Sequence, residues 1–181
     1  MHYILFDLEA TCWLGRPPIG NNEIIEIGAY KVNGYGEIVD HFNQYIKPIS
    51  NPTLSGFCKK LTGIQQHNVD TAFKFDKVIG DFMEWFGYED NDEYHLISWG
   101  ENDRQLLFQD CTLHDVEDDW IRFWVNLKPA YQRLTGMLKQ VGLKKALERE
   151  TIEFEGKQHR AITDAYNLTK LFIKHFDDWE L

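Results

Sequence analysis

Three β-rich segments come before the first helical one, and strands and helices alternate after it. No other feature of the chain constrains the fold as much. Tyr3 to Leu8 is short and largely apolar. Glu23 to Val32 follows the Gly- and Pro-containing loop Gly15 to Asn22, and Ile38 to Ile46 follows a turn marked by Gly34 and Gly36. Runs of this length bounded by turn residues read as strands, here a three-strand meander. Leu54 to Leu61 and Phe75 to Phe86 then carry apolar residues at helical spacing, the second as Phe75, Val78, Ile79, Phe82, Met83 and Phe86. Tyr94 to Trp99 reads as a buried strand, and from Gly100 a helix turns Leu106, Leu107 and Phe108 toward the core. Trp120 to Leu127 reads as a further strand. Pro129 suits the first position of a helix reaching about Leu138, where its missing N–H costs nothing. Ala161 to Phe176 is the last helix, with Ile162, Ala165, Leu168, Thr169, Phe172 and Ile173 along one stripe. This order specifies an α/β fold, a mixed sheet flanked by helices.

A chain of 181 residues fits a single domain, 1–181, with a sizeable core. No repeat, low-complexity tract or linker divides it. Cys12, Cys58 and Cys111 show no paired spacing, so reduced thiols in a cytoplasmic setting are expected. The start, Met1 to Glu9, lacks a basic region and meets an acid after a few apolar residues, unlike a signal peptide. No apolar run approaches the ~18 residues of a membrane helix, so no membrane partner is expected.

The chemistry begins with Asp7 and Glu9 in Phe6-Asp7-Leu8-Glu9-Ala10-Thr11. Two residues apart on a strand, their carboxylates share one face and repel each other unless a cation lies between them. Taken singly, such a pair is what a solvated strand end also shows. Asp103 follows a strand near a helix start, where capping or the helix dipole alone would account for it. His159 and Asp164 are five residues apart, about 140° around a continuous helix, so they cannot share a helix face. They converge only if His159 sits in the loop before the helix, a geometry that Gly156 upstream favours.

Together these segments resemble the motifs of the DEDDh 3′-to-5′ exonucleases. The first motif is Phe6-Asp7-Leu8-Glu9-Ala10-Thr11, the second Ser98-Trp99-Gly100 leading to Asp103, and the third His159-Arg160-Ala161-Ile162-Thr163-Asp164-Ala165. Glu23 to Gly28 and Leu54 to Ile64 resemble the RNA-processing branch, which includes the small-RNA and histone-mRNA 3′ exonucleases and the bacterial sporulation-inhibitor-like exonucleases. Thr163 stands where many relatives carry a further acid.

The resemblance implies a ribonuclease-H-like fold with a mixed five-stranded sheet. It implies catalytic residues Asp7, Glu9, Asp103, His159 and Asp164. The four carboxylates would hold two divalent metal ions, Mg²⁺ or Mn²⁺, about 3.5–4 Å apart. His159 would be the general base, a role suited to histidine's ordinary pKa near ~6.5. Glu9, Ala10, Thr11, Trp99 and His159 would contact the last nucleotide of single-stranded nucleic acid, RNA by preference, releasing nucleoside 5′-monophosphates. Trp13 and Trp99 are candidates for base stacking or for core packing. Arg104, Arg160, Lys59 and Lys60 are candidates for the path of the strand. A DNA-directed exonuclease and a non-catalytic binding module on the same fold remain open.

Charge runs against this expectation, since 19 Lys and Arg against 29 Asp and Glu give a net −10. An enzyme acting on a chain end needs only a short positive path, and bound cations would offset part of the acid. Weak, salt-sensitive binding without metal is the consequence. A protein partner for substrate targeting is expected too, because the chain has no room for a second nucleic-acid-binding domain.

Overall fold

The computed structural model describes residues 1–88 and 93–180. Its centre is β1 (His2–Ala10), paired antiparallel to β2 (Ile24–Asn33), which pairs antiparallel to β3 (Ile38–Tyr45). On the other side β4 (Tyr94–Ser98) runs parallel to β1, and β5 (Trp124–Asn126) parallel to β4. The result is the expected mixed sheet of five strands, in the order β3-β2-β1-β4-β5.

A central strand covered on both faces reads as a nearly continuous apolar run, and β1 does so because its two faces bury different residues. Ile4, Phe6 and Leu8 pack against Phe75, Val78, Ile79, Phe82 and Phe86 of a helix, α3 (Phe75–Phe86). Leu5 faces the opposite way, into a cluster with Leu168 and Phe172 of the last helix, α7 (Ala161–Lys174). Odd-numbered residues of β1 therefore look toward α7. That alternation aims Asp7 and Glu9.

Between these elements lie α1 (Gly56–Thr62), α2 (Gln66–Asp70), α4 (Asn102–His114), α5 (Leu127–Thr135) and α6 (Leu143–Arg149), which the numbering places around α3 in chain order. Ser55 caps α1 by accepting the Cys58 N–H at 2.9 Å, and Gly63 ends it at φ 79°. The apolar residues expected of α4 divide: Leu107 is buried, whereas Leu106 and Phe108 cover the edge of the core.

Three expectations need correction. The segment Trp120 to Leu127 is not one strand: a 3-10 turn, Asp119–Ile121, precedes the three residues of β5. The Ile121 N–H closes this turn on Asp118 O at 3.0 Å, and fully buried Trp120 donates from Nε1 to Glu117 O at 2.9 Å. Pro129 is not the first residue of its helix. Asn126 caps the Lys128 N–H at 3.1 Å, so α5 starts at Leu127, and it stops at Thr135 because Gly136 turns left-handed at φ 62°. In α7 the expected Ala165, Leu168, Thr169 and Phe172 are buried, joined by Ala161 and Leu171, while Ile162 and Ile173 are only half-buried, and the helix ends at Lys174 rather than Phe176.

Candidate active site

Strand register opens the site. Pairing of β1 with β4 stops at Leu5 opposite Ile97, while β1 continues to Ala10 against β2 alone. Asp7 and Glu9 thus stand where β4 has turned away, at the carboxyl ends of the parallel strands, where open α/β sheets form crevices. Here the crevice is a cleft of about 630 Å³ whose lining includes Asp7, Glu9, Asp103, His159 and Asp164.

Each side chain arrives on its own element. Asp103 lies in the first turn of α4, directly after β4, and is buried, with 8% of its surface exposed. Asp164 lies in the first turn of α7. His159 precedes that helix, as convergence with Asp164 demands, with a left-handed φ of 63° that residues other than glycine seldom adopt. Its N–H donates to Asp164 Oδ2 at 2.9 Å, which holds the turn. One ligand atom each from Glu9, His159 and Asp164 lies within 4.8 Å of the others.

Crowding these acids disfavours their charged forms. Desolvation in the cleft, then the charges of Asp103, Asp164, Glu9 and Glu26, hold the Asp7 carboxyl well above the usual carboxylate range. Desolvation and then Asp164, Glu26 and Asp103 push Glu9 up to about 8, with Arg160 pulling the other way. Desolvation pushes Asp103 to about 6, against the opposing pull of the Leu8 backbone and other polar groups around it, and it raises Asp164 as well. A set of hard oxygen donors that cannot all ionise without a counter-charge is the chemistry of a divalent-cation site. These residues fit such an ion.

Two residues absent from the expected set hold the site from behind. Glu26, paired with Glu9 across β1 and β2, has no exposed surface. It accepts from Arg160 Nε at 3.1 Å and Nη2 at 2.8 Å and from the Ala161 N–H at 3.1 Å. Two residues on, Gly28 lies under the first turn of α7, and a Cβ there would collide with the backbone of Ala161 and Ile162. Arg160 is therefore committed to Glu26 and to the Tyr45 hydroxyl at 2.7 Å, not to the path of a substrate. Arg104 stacks over Phe108 and Trp124, and neither it nor Lys59, Lys60 or Trp13 lines the cleft.

Ala10, Thr11 and Trp99 do line the cleft. The Thr11 hydroxyl is occupied in accepting the Glu23 N–H at 2.9 Å. Trp99 is half-buried, pinned by its Nε1 donating to Val141 O at 3.1 Å and by its ring against Tyr131.

The RNase_T exonuclease family model matches residues 4–172, nearly the whole chain. The chain belongs to this family. It is 30% identical to 3′-5′ exoribonuclease 1 of Homo sapiens over 96% of its length, and 31% identical to the 3′-5′ exonuclease Snipper of Drosophila melanogaster over 99%. It spans 52% of the first relative and 71% of the second, so about half the length of the human protein has no counterpart here. Among solved structures, the nuclease domain of 3′hExo, a DEDDh family member bound to rAMP, superposes with a TM-score of 0.90 at 30% identity. That match covers 99% of this chain and 94% of that domain. A 3′-exonuclease solved in recognition of the histone mRNA stem-loop 3′ end matches with a TM-score of 0.89 at 28% identity, over 99% of this chain and 65% of that one. The fold is ribonuclease-H-like, and the family's exonucleases use divalent metal ions.

Proposed function

We propose that this chain is one exonuclease domain that removes nucleotides from the 3′ end of single-stranded RNA, releasing nucleoside 5′-monophosphates. The observation that carries this reading is the convergence of four carboxylates from β1, α4 and α7 with His159 in one cleft. The names of the relatives, 3′-5′ exoribonucleases, favour RNA.

Asp7, Glu9, Asp103 and Asp164 would hold two divalent ions, Mg²⁺ or Mn²⁺. Bound there, the ions supply charge neutralisation at the phosphate and a more acidic water. The remaining steps belong to the chain. His159 accepts the proton of the attacking water, its imidazole set by the turn that Asp164 closes. The backbone at Glu9, Ala10 and Thr11 seats the terminal nucleotide, and Trp99 walls the cleft beside it. Three free cysteines favour a cytoplasmic setting, and the acidic surface favours a protein partner that brings the substrate.

The test is incubation with 5′-labelled single-stranded RNA and its DNA counterpart, each with Mg²⁺, with Mn²⁺ and with chelator. A ladder shortening from the 3′ end of RNA, absent in chelator and in Asp7→Ala, is expected. Asp7→Ala should remain folded, because it removes a repelled acid. Cleavage surviving in Asp7→Ala overturns the mechanism, faster cleavage of DNA overturns the substrate, and no cleavage of either leaves a binding module.

A further inference from the structure

A cleft built from carboxylates must still accept a polyanion, and its supply of positive charge is small. Of the residues lining it, Lys128 alone is a lysine or arginine. Among the described residues its ammonium has no ion pair, hydrogen bond or aromatic partner, whereas Arg104, next to Asp103, and Arg160, next to His159, are both occupied. The root of the side chain is fixed. Leu127 before it is fully buried, Asn126 caps its N–H, and Pro129 follows with a locked φ. Neighbours on this wall, Asn126, Gln140 and Leu143, carry no negative charge.

We infer that Lys128 is a binding residue for the substrate strand, holding a backbone phosphate other than the one that reacts. Position argues for the non-reacting phosphate. Lys128 follows β5, two strands from β1 across β4, and two strand spacings are about 10 Å. The carboxylates on β1 serve the reacting phosphate; a cation on the far wall meets the next part of the chain. A lysine there is a point charge, reading neither base nor sugar, so it strengthens binding of any sequence.

This inference rests on the exonuclease reading, and its test separates the two by measuring binding apart from cleavage. The probe is a labelled single-stranded RNA whose 3′-terminal linkages are phosphorothioates, titrated with the wild-type chain, Lys128→Ala and Lys128→Arg over a KCl series with Mg²⁺. Losing one phosphate contact should weaken binding by Lys128→Ala about tenfold at low salt. It should also flatten the log–log salt dependence by about 0.7. Lys128→Arg should retain both. On cleavable RNA, Lys128→Ala should raise KM in step while kcat stays within about twofold. An unchanged affinity and salt slope overturns the inference, as does a fall in kcat at constant KM, which would place Lys128 on the reacting phosphate. Binding with the expected slope change but no cleavage would leave the Lys128 contact standing and overturn the exonuclease reading.

Discussion

Glu26 has no exposed surface and yet is an acid, so its charge must be met from within the protein. Arg160 meets it, and the same carboxylate also takes the first N–H of α7, so a single side chain fixes both the residue after His159 and the helix that carries Asp164. Glu26→Gln keeps the shape but loses the charge, at a cost of about 2 kcal/mol for charge-assisted hydrogen bonds. We expect a lower Tm together with a fall in kcat of tenfold or more, on the order of what a displaced catalytic turn costs. Wild-type kcat at a lowered Tm would show that Glu26 only stabilises. Sequence made part of this legible. The two-residue spacing of Asp7 and Glu9 and the five-residue spacing of His159 and Asp164 imposed the observed strand face and loop. Nothing local, however, pairs Glu26 with Arg160, 134 residues away, and Lys128 sits in an ordinary helical pattern without a motif.

At the scale of elements, the site depends on how closely α7 approaches β2. Gly28, opposite Asp7 in the β1–β2 ladder, lets the backbone of Ala161 and Ile162 reach the sheet. Gly28→Val forces the helix outward or the strand to bulge, an overpacking that costs about 1–3 kcal/mol. Asp164 and His159 move with the helix. The expected result is a folded protein with near-native circular dichroism, lowered Tm and activity reduced far more than Tm alone explains. Normal turnover in Gly28→Val would mean that the seat is not needed. Long elements such as α3, β1 and β2 were readable because twelve, nine and ten residues display their period. The five-residue α2 does not complete enough turns to show one, and β5 shrank to three residues because the burial of Trp120 ties the chain into a turn first.

The molecule as a whole carries a net −10, with its most strained acids gathered in one cleft, and this couples metal, protons and stability. In the unfolded chain Glu and Asp titrate near ~4, whereas in the metal-free fold Glu9 titrates at about 8 and Asp103 at about 6, with Asp110 also raised to about 6. Between those limits the folded state binds more protons than the unfolded one, so stability falls as pH rises. Below about pH 4 the sign reverses, through acids such as Glu150 and Asp40 whose folded pKa is lowered. A divalent cation held by these carboxylates would bind their ionised forms in the folded state only, and its stabilisation would grow with pH as fewer protons must be displaced. Thermal melts from pH 5 to pH 8 should therefore show a falling Tm in chelator and a larger Mg²⁺-induced rise at pH 8 than at pH 6. Asp7→Asn, which removes one of the repelled charges, should melt above the wild type at pH 8 in chelator and lose most of the response to Mg²⁺. A metal-free Tm that stays level or climbs over that range, or a Mg²⁺ effect indifferent to pH, would show that the carboxylates are not held against their charge and that the cleft is not tuned for a cation.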